Sequence, residues 1–160
     1  MRIMVFFLAF AGLVAVSCGL AFWRGGGPER LVAALFLIAW LASIASNTPA
    51  PLRYHSVEIA FAVIDTVLLI GLLLVASRAN RRWPSVAAGL QLLIVLAHAA
   101  RAINPLQIAV VYMIMTAVWP FLQLLLLLGG TVLHWRRTAV LGAVPSWSPS
   151  SRTRPAMPKR

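Results

Sequence analysis

Residues 59–76 read IAFAVIDTVLLIGLLLVA. Eighteen residues pass with a single charge, Asp65, and no proline. As an α-helix this stretch is about 27 Å long, close to the ~30 Å hydrocarbon core of a bilayer. Outward from it lie four more runs of the same character: Met4–Phe22, Leu31–Ala45, Ser85–Ala100 and Leu106–Leu128. In hydrocarbon the backbone must satisfy its own hydrogen bonds, which these runs do as helices. The expected fold is all-α: a polytopic membrane protein with a bundle of five transmembrane helices over residues 1–137. A basic Pro/Ser-rich tail follows over 138–160.

The composition agrees. Of 160 residues, 61% are hydrophobic and 11% charged, against roughly half and a quarter in soluble domains. The five runs leave no room for a separate soluble domain. The single cysteine, Cys18, excludes an internal disulfide and a cysteine cluster, and its place in an apolar run reads as small-residue packing. Fourteen Lys and Arg against three Asp and Glu give a net charge of +11. In a soluble chain that balance points to nucleic acid. Here it borders spans and sets orientation, so no nucleic-acid partner is expected.

With five spans, one side holds three basic residues: Arg2, Arg53 and Arg101. The other holds eleven: Arg24, Arg30, Arg78, Arg81, Arg82, Arg136, Arg137, Arg152, Arg154, Lys159 and Arg160. Basic residues are retained on the cytoplasmic side, so the N-terminus is expected outside and the C-terminus inside. Arg24, Arg30, Arg78, Arg81, Arg82, Arg136 and Arg137 are then expected to meet anionic lipid headgroups. Ala15-Val16-Ser17-Cys18 faintly resembles a lipoprotein cleavage site. The apolar run continues past it to Phe22, however, and cleavage would invert the charge asymmetry, so the first run is expected to remain as a span.

Local signals punctuate the runs. Gly25-Gly26-Gly27-Pro28 marks a tight turn. Trp23, Trp83 and Trp135 stand beside arginines, as aromatic belts do at the headgroup level. Pro120 predicts a kink in the fifth helix. Gly129-Gly130 weakens that helix ahead of an interfacial His134-Trp135-Arg136-Arg137, and residues 144–160 read as disordered. No internal repeat supports an inverted-repeat transporter.

Arg82-Trp83-Pro84, Gln91 and His98, followed by a fifth run with Tyr112 and Trp119, resemble a group of small uncharacterised multi-pass proteins of bacterial inner membranes. The resemblance covers runs three to five. It implies a bacterial inner-membrane location and no activity.

Few residues could carry chemistry. Asp65 is the sole carboxylate well inside a run, roughly 10 Å below the outer surface. Gln91 and His98, at i and i+7, share a face of the fourth run. Tyr112, Thr116, Trp119 and Gln123 form one stripe on the fifth. These groups are expected to form a polar seam in the outer half of the bundle. The seam is either interhelical glue or an ion site with Asp65 titrating and His98 as its exit. His55, Glu58 and His98 form a weaker candidate metal site, with no ligand-like local spacing. His98 and His134 fall at opposite surfaces and cannot share one haem. No nucleophile elbow or phosphate loop occurs, and no cofactor is expected.

The leading expectation is a structural or accessory subunit, packed against other membrane subunits or copies of itself. A small transporter or proton- or cation-conducting protein using Asp65 is the alternative. An outer-face metalloenzyme is the weakest reading.

Overall fold

The computed structural model describes residues 2–46, 59–104, 109–142 and 145–147. They form six helices: α1 (Arg2–Arg24), α2 (Gly27–Ala45), α3 (Ile59–Arg78), α4 (Trp83–Ile103), α5 (Ala109–Ala117) and α6 (Trp119–Leu141). Among the described residues there is no β-strand, and one isolated antiparallel bridge joins Ala79 to Trp147.

Helices α1 to α4 are each long and apolar enough to cross a membrane. Only 22–39% of their apolar windows is buried inside the bundle. Val63, Val67, Ile70, Leu73 and Leu74 on α3, for example, all face outward. A helix that is apolar all round yet mostly uncovered by protein needs lipid as its solvent.

The fifth run departs from the expected single kinked helix. It is divided between α5 and α6, with Val118 between them. Pro120 lies in the first turn of α6 and has no N–H to donate to the Thr116 carbonyl. The ladder therefore shortens, and Phe121 N–H donates to the Val118 carbonyl at 3.2 Å. α6 then runs unbroken through Gly129-Gly130 to Leu141, beyond the expected start of the tail.

Helices α1, α2, α3, α4 and α6 form a closed ring of neighbours, and α5 rests on α4 and α6. The stripe of α1 that faces this ring is small: Val14, Ser17, Cys18 and Ala21 are all buried. Small side chains at this spacing let backbones approach closely, which in lipid replaces the hydrophobic driving force. The Cys18 thiol lies 3.7 Å from the Ala33 carbonyl of α2.

The glycine turn between α1 and α2 is set by crowding. A Cβ at Gly26 would lie 2.6 Å from Ser146 Oγ and 2.9 Å from His134 Nε2. The Gly26 N–H donates to Glu29 Oε2 at 3.1 Å, so a side chain three residues on caps α2. Residues 145–147, expected within a disordered tail, return to this end of the bundle. Asn80 N–H donates to the Ser146 carbonyl at 3.2 Å, and the Trp147 indole lies against Gly27.

Gly130 packs against the Trp83 indole: a Cβ there would lie 2.7 Å from Nε1. The neighbouring Gly129 has nothing within 4 Å of that position. Gly130→Ala should therefore destabilise the protein by about 1–3 kcal/mol through overpacking. Gly129→Ala should be neutral or stabilising, by up to about 1 kcal/mol of helix propensity. Thermal unfolding of the two variants in mild detergent checks this; equal effects would contradict the packing.

Candidate functional site

Asp65 sits on α3 and turns toward α4. Gln91 and His98, two turns apart on α4, are both buried and both reach it. Gln91 Nε2 donates to Asp65 Oδ1 at 2.8 Å and lies 3.1 Å from the Asp65 carbonyl. His98 Nε2 lies 2.9 Å from Asp65 Oδ2. On α5, the buried Tyr112 hydroxyl is 2.6 Å from His98 Nδ1. On α6, Gln123 Nε2 donates to Gln91 Oε1 at 2.9 Å and to the Ala87 carbonyl at 3.1 Å. Thr116 Oγ1 donates to the Tyr112 carbonyl at 3.0 Å, within its own helix. The structure thus joins Asp65, Gln91, His98 and Tyr112 in one chain. Gln123 extends that chain, and Thr116 stands beside it.

The donor directions within this chain converge. With Asp65 ionised, its carboxylate only accepts. Gln123 donates to Gln91, and Gln91 donates to Asp65. From the other side Tyr112 O–H donates to His98 Nδ1, and His98 Nε2–H donates to Asp65. This is the tautomer a neutral imidazole takes between a hydroxyl donor and a carboxylate. Each member except Asp65 is at least 90% buried, whereas the Asp65 side chain is 23% exposed.

That exposure accompanies a cavity of about 230 Å³. Asp65, Gln91, His98, Tyr112, Thr116 and Gln123 supply polar wall. Phe10 of α1, Phe36 and Trp40 of α2 and Phe61 of α3 supply aromatic wall. The cavity therefore touches all six helices and stands beside the carboxylate.

The other end of the bundle holds a second polar cluster that the sequence does not reveal. Glu29 is fully buried and pairs with Arg81 Nη1 at 3.0 Å. Trp83 Nε1 donates to Glu29 Oε1 at 3.3 Å, and Arg81 Nη2 donates to His134 Nδ1 at 2.8 Å. Arg81 is therefore an internal ion-pair partner, which corrects its assignment to lipid headgroups. His134 likewise is buried and not an exposed interfacial residue. Gly26 followed by Glu29 is a capping pattern that could have located the carboxylate, although not its partner 52 positions away. Arg24, Arg30, Arg78, Arg82, Arg136 and Arg137 remain exposed, and the Arg24 guanidinium stacks 4.4 Å from Trp23 and 5.1 Å from Trp135. Arg101, counted as a loop residue in the charge asymmetry, lies in the last turn of α4. It is buried, 5.9 Å from the Tyr112 ring.

His55 and Glu58 lie outside the described residues, so of that candidate metal set only His98 is placed. Among the described residues no three His, Cys, Asp or Glu side chains are grouped to hold a metal ion. Comparison with protein-family models, curated proteins and solved structures finds no match to this chain. The functional reading therefore rests on the geometry.

His134 lies beyond the apolar run that ends at Leu128. Its pKa is lowered from 6.5, first by burial and then by Arg81, with Glu29 opposing and Arg30 adding to the effect. Below pH 6.5 the unfolded chain binds this proton more readily than the native one. The His134 contribution is thus complete above about pH 6.5 and is lost as pH falls toward the native pKa. The unfolding temperature in detergent should drop between pH 7.5 and 5.5, and His134→Gln should flatten the drop. An unchanged pH slope in the variant would remove His134 as its source.

Proposed function

We propose that this chain is a five-pass membrane carrier in which a cation and a proton compete for the Asp65–His98 pair. The observation that carries the reading is a carboxylate that collects the hydrogen bonds of its neighbours yet still opens on a cavity. Polar residues that serve only as glue close around one another, and a membrane-buried ionisable group beside a cavity marks a pathway.

The chemistry follows from the hydrogen positions. With Asp65 as a carboxylate and His98 as a neutral imidazole, the pair carries one negative charge. A proton entering the site binds His98 Nδ1. The Tyr112 oxygen, 2.6 Å away, then turns from donor to acceptor without moving. Asp65 and the imidazolium now form a neutral pair, and the attraction for a cation in the cavity falls. A cation beside Asp65 and the charge of an imidazolium repel one another in turn. The other groups facing the site are few. Tyr112 comes from α5 and the Arg101 guanidinium from α4. Among the described residues, the cavity walls from α1, α2 and α6 contribute no titratable side chain.

The topology of the reading is N-terminus periplasmic and C-terminus cytoplasmic in a bacterial inner membrane. Its support is the gathering of Arg24, Arg30, Arg78, Arg82, Arg136 and Arg137 at one end. In this arrangement α5 and the start of α6 make the fifth crossing, and the basic end faces anionic headgroups.

Two experiments test this reading. A reporter active only in the periplasm, fused after Arg160, should be silent; strong activity would overturn the orientation. In proteoliposomes, an imposed cation gradient should drive proton release, and Asp65→Asn should abolish it with folding retained. Asp65→Leu should also lower stability, by about 1–3 kcal/mol, because Gln91 and His98 both lose the carboxylate as a partner. If Asp65→Asn exchanges protons like the wild type, the carrier fails and an accessory subunit held together by its polar seam takes its place.

A further inference from the structure

We infer that the cation this cavity takes is a small organic ammonium of about one ring in size, and not an inorganic ion. The inference rests on the carrier reading and names its substrate class.

The first argument is coordination. A hard metal cation needs several oxygen ligands at close range. At Asp65 the positions around the carboxylate are held by nitrogen donors, Gln91 Nε2 on Oδ1 and His98 Nε2 on Oδ2. The Gln91 carbonyl oxygen is itself engaged by Gln123. The chain that fixes the carboxylate therefore obstructs an oxygen cage. Each carboxylate oxygen keeps acceptor capacity beyond these bonds, and the 23% exposed Asp65 side chain suits an N–H donor or a diffuse ammonium charge.

The second is the aromatic part of the lining. Phe10, Phe36, Trp40 and Phe61 come from three helices and line the same space as Asp65. Aromatic faces attract ammonium groups and cover their apolar bodies without competing for hydrogen bonds. A carboxylate and aromatic rings lining one space fit a compact amphipathic cation.

The third is size and charge. About 230 Å³ exceeds the ~150 Å³ that holds benzene and falls short of the ~300 Å³ at which drug-sized pockets begin. One aromatic ring with a short amine fills it, as does a compact tetraalkylammonium. One carboxylate balances one charge. Asp65 is the carboxylate of the cavity lining, so a monocation matches it better than a dication.

The test is calorimetric titration of the full-length protein in mild detergent with phenethylammonium, tetraethylammonium, sodium and the uncharged 2-phenylethanol. A pH-indicator dye reads proton release in parallel. Phenethylammonium or tetraethylammonium should bind saturably and release protons. Binding should vanish in Asp65→Asn and weaken at least about fivefold in Trp40→Leu. Phe61→Leu repeats the wall test should Trp40→Leu fail to fold. The neutral alcohol should bind at least about tenfold more weakly than phenethylammonium. Asp65-dependent sodium binding without ammonium binding would overturn the substrate class and leave the carrier standing. Equal binding of alcohol and ammonium would also overturn it, by making the cavity merely apolar. No cation binding and no proton release with any of the probes would overturn both.

Discussion

A carboxylate inside a bundle of apolar helices must be solvated by protein, and the fold at the α5 end of the bundle follows from how Asp65 meets that demand. The apolar faces of the helices have no preference for one another over lipid. Directional contacts must fix their register. Asp65 on α3 takes donors from Gln91 and His98 on α4, and these in turn are held by Gln123 on α6 and Tyr112 on α5. Four helices are thereby aligned to one side chain. The close approach of α1 to α2 and α6 needs no such device, because Val14, Ser17, Cys18 and Ala21 are small enough for backbone packing.

The carboxylates of Glu29 and Asp65 are treated in opposite ways. Glu29 is enclosed by a permanent cation, Arg81, by the Trp83 indole and by the Gly26 amide, with no exposed surface left. Such a pair is strongly destabilised if either partner is removed, and it fixes the geometry of its surroundings. It joins the α1–α2 turn to the start of α4, and His134 ties α6 to the same point. Asp65 is held instead by the Gln91 amide and by an imidazole whose charge is conditional, and part of its surface is left to the cavity. That contrast sets a fully enclosed ion pair apart from a carboxylate that still meets a cavity.

What the sequence reveals divides along the same physical lines. The apolar runs are legible because lipid demands long uncharged segments, and no partner needs to be known. Gln91 and His98 are legible as one face because a seven-residue spacing is close to two helical turns. The pairing of Glu29 with Arg81 is not legible, since it depends on which of many arginines the bundle brings near. Nor is the return of Ser146 and Trp147 to the glycine turn, because a Pro/Ser-rich composition predicts only weak local structure. Pro120 announces an irregularity without stating that the helix divides.

That division is what lets one segment serve both ends of the Asp65 chain. Gln91 and His98 are seven residues apart on α4, about 10 Å along the axis. Their partners on the fifth run, Gln123 and Tyr112, are eleven residues apart. On one straight helix that separation is about 16 Å, and the two contacts would be out of step by about 6 Å. The break falls at Val118, between the two partners, where Pro120 withdraws a hydrogen bond from Thr116. α5 can then present Tyr112 to His98 while α6 independently presents Gln123 to Gln91. The residue that reads as a defect in a spanning helix is, on this geometry, the condition for the polar chain to close on Asp65 from both sides.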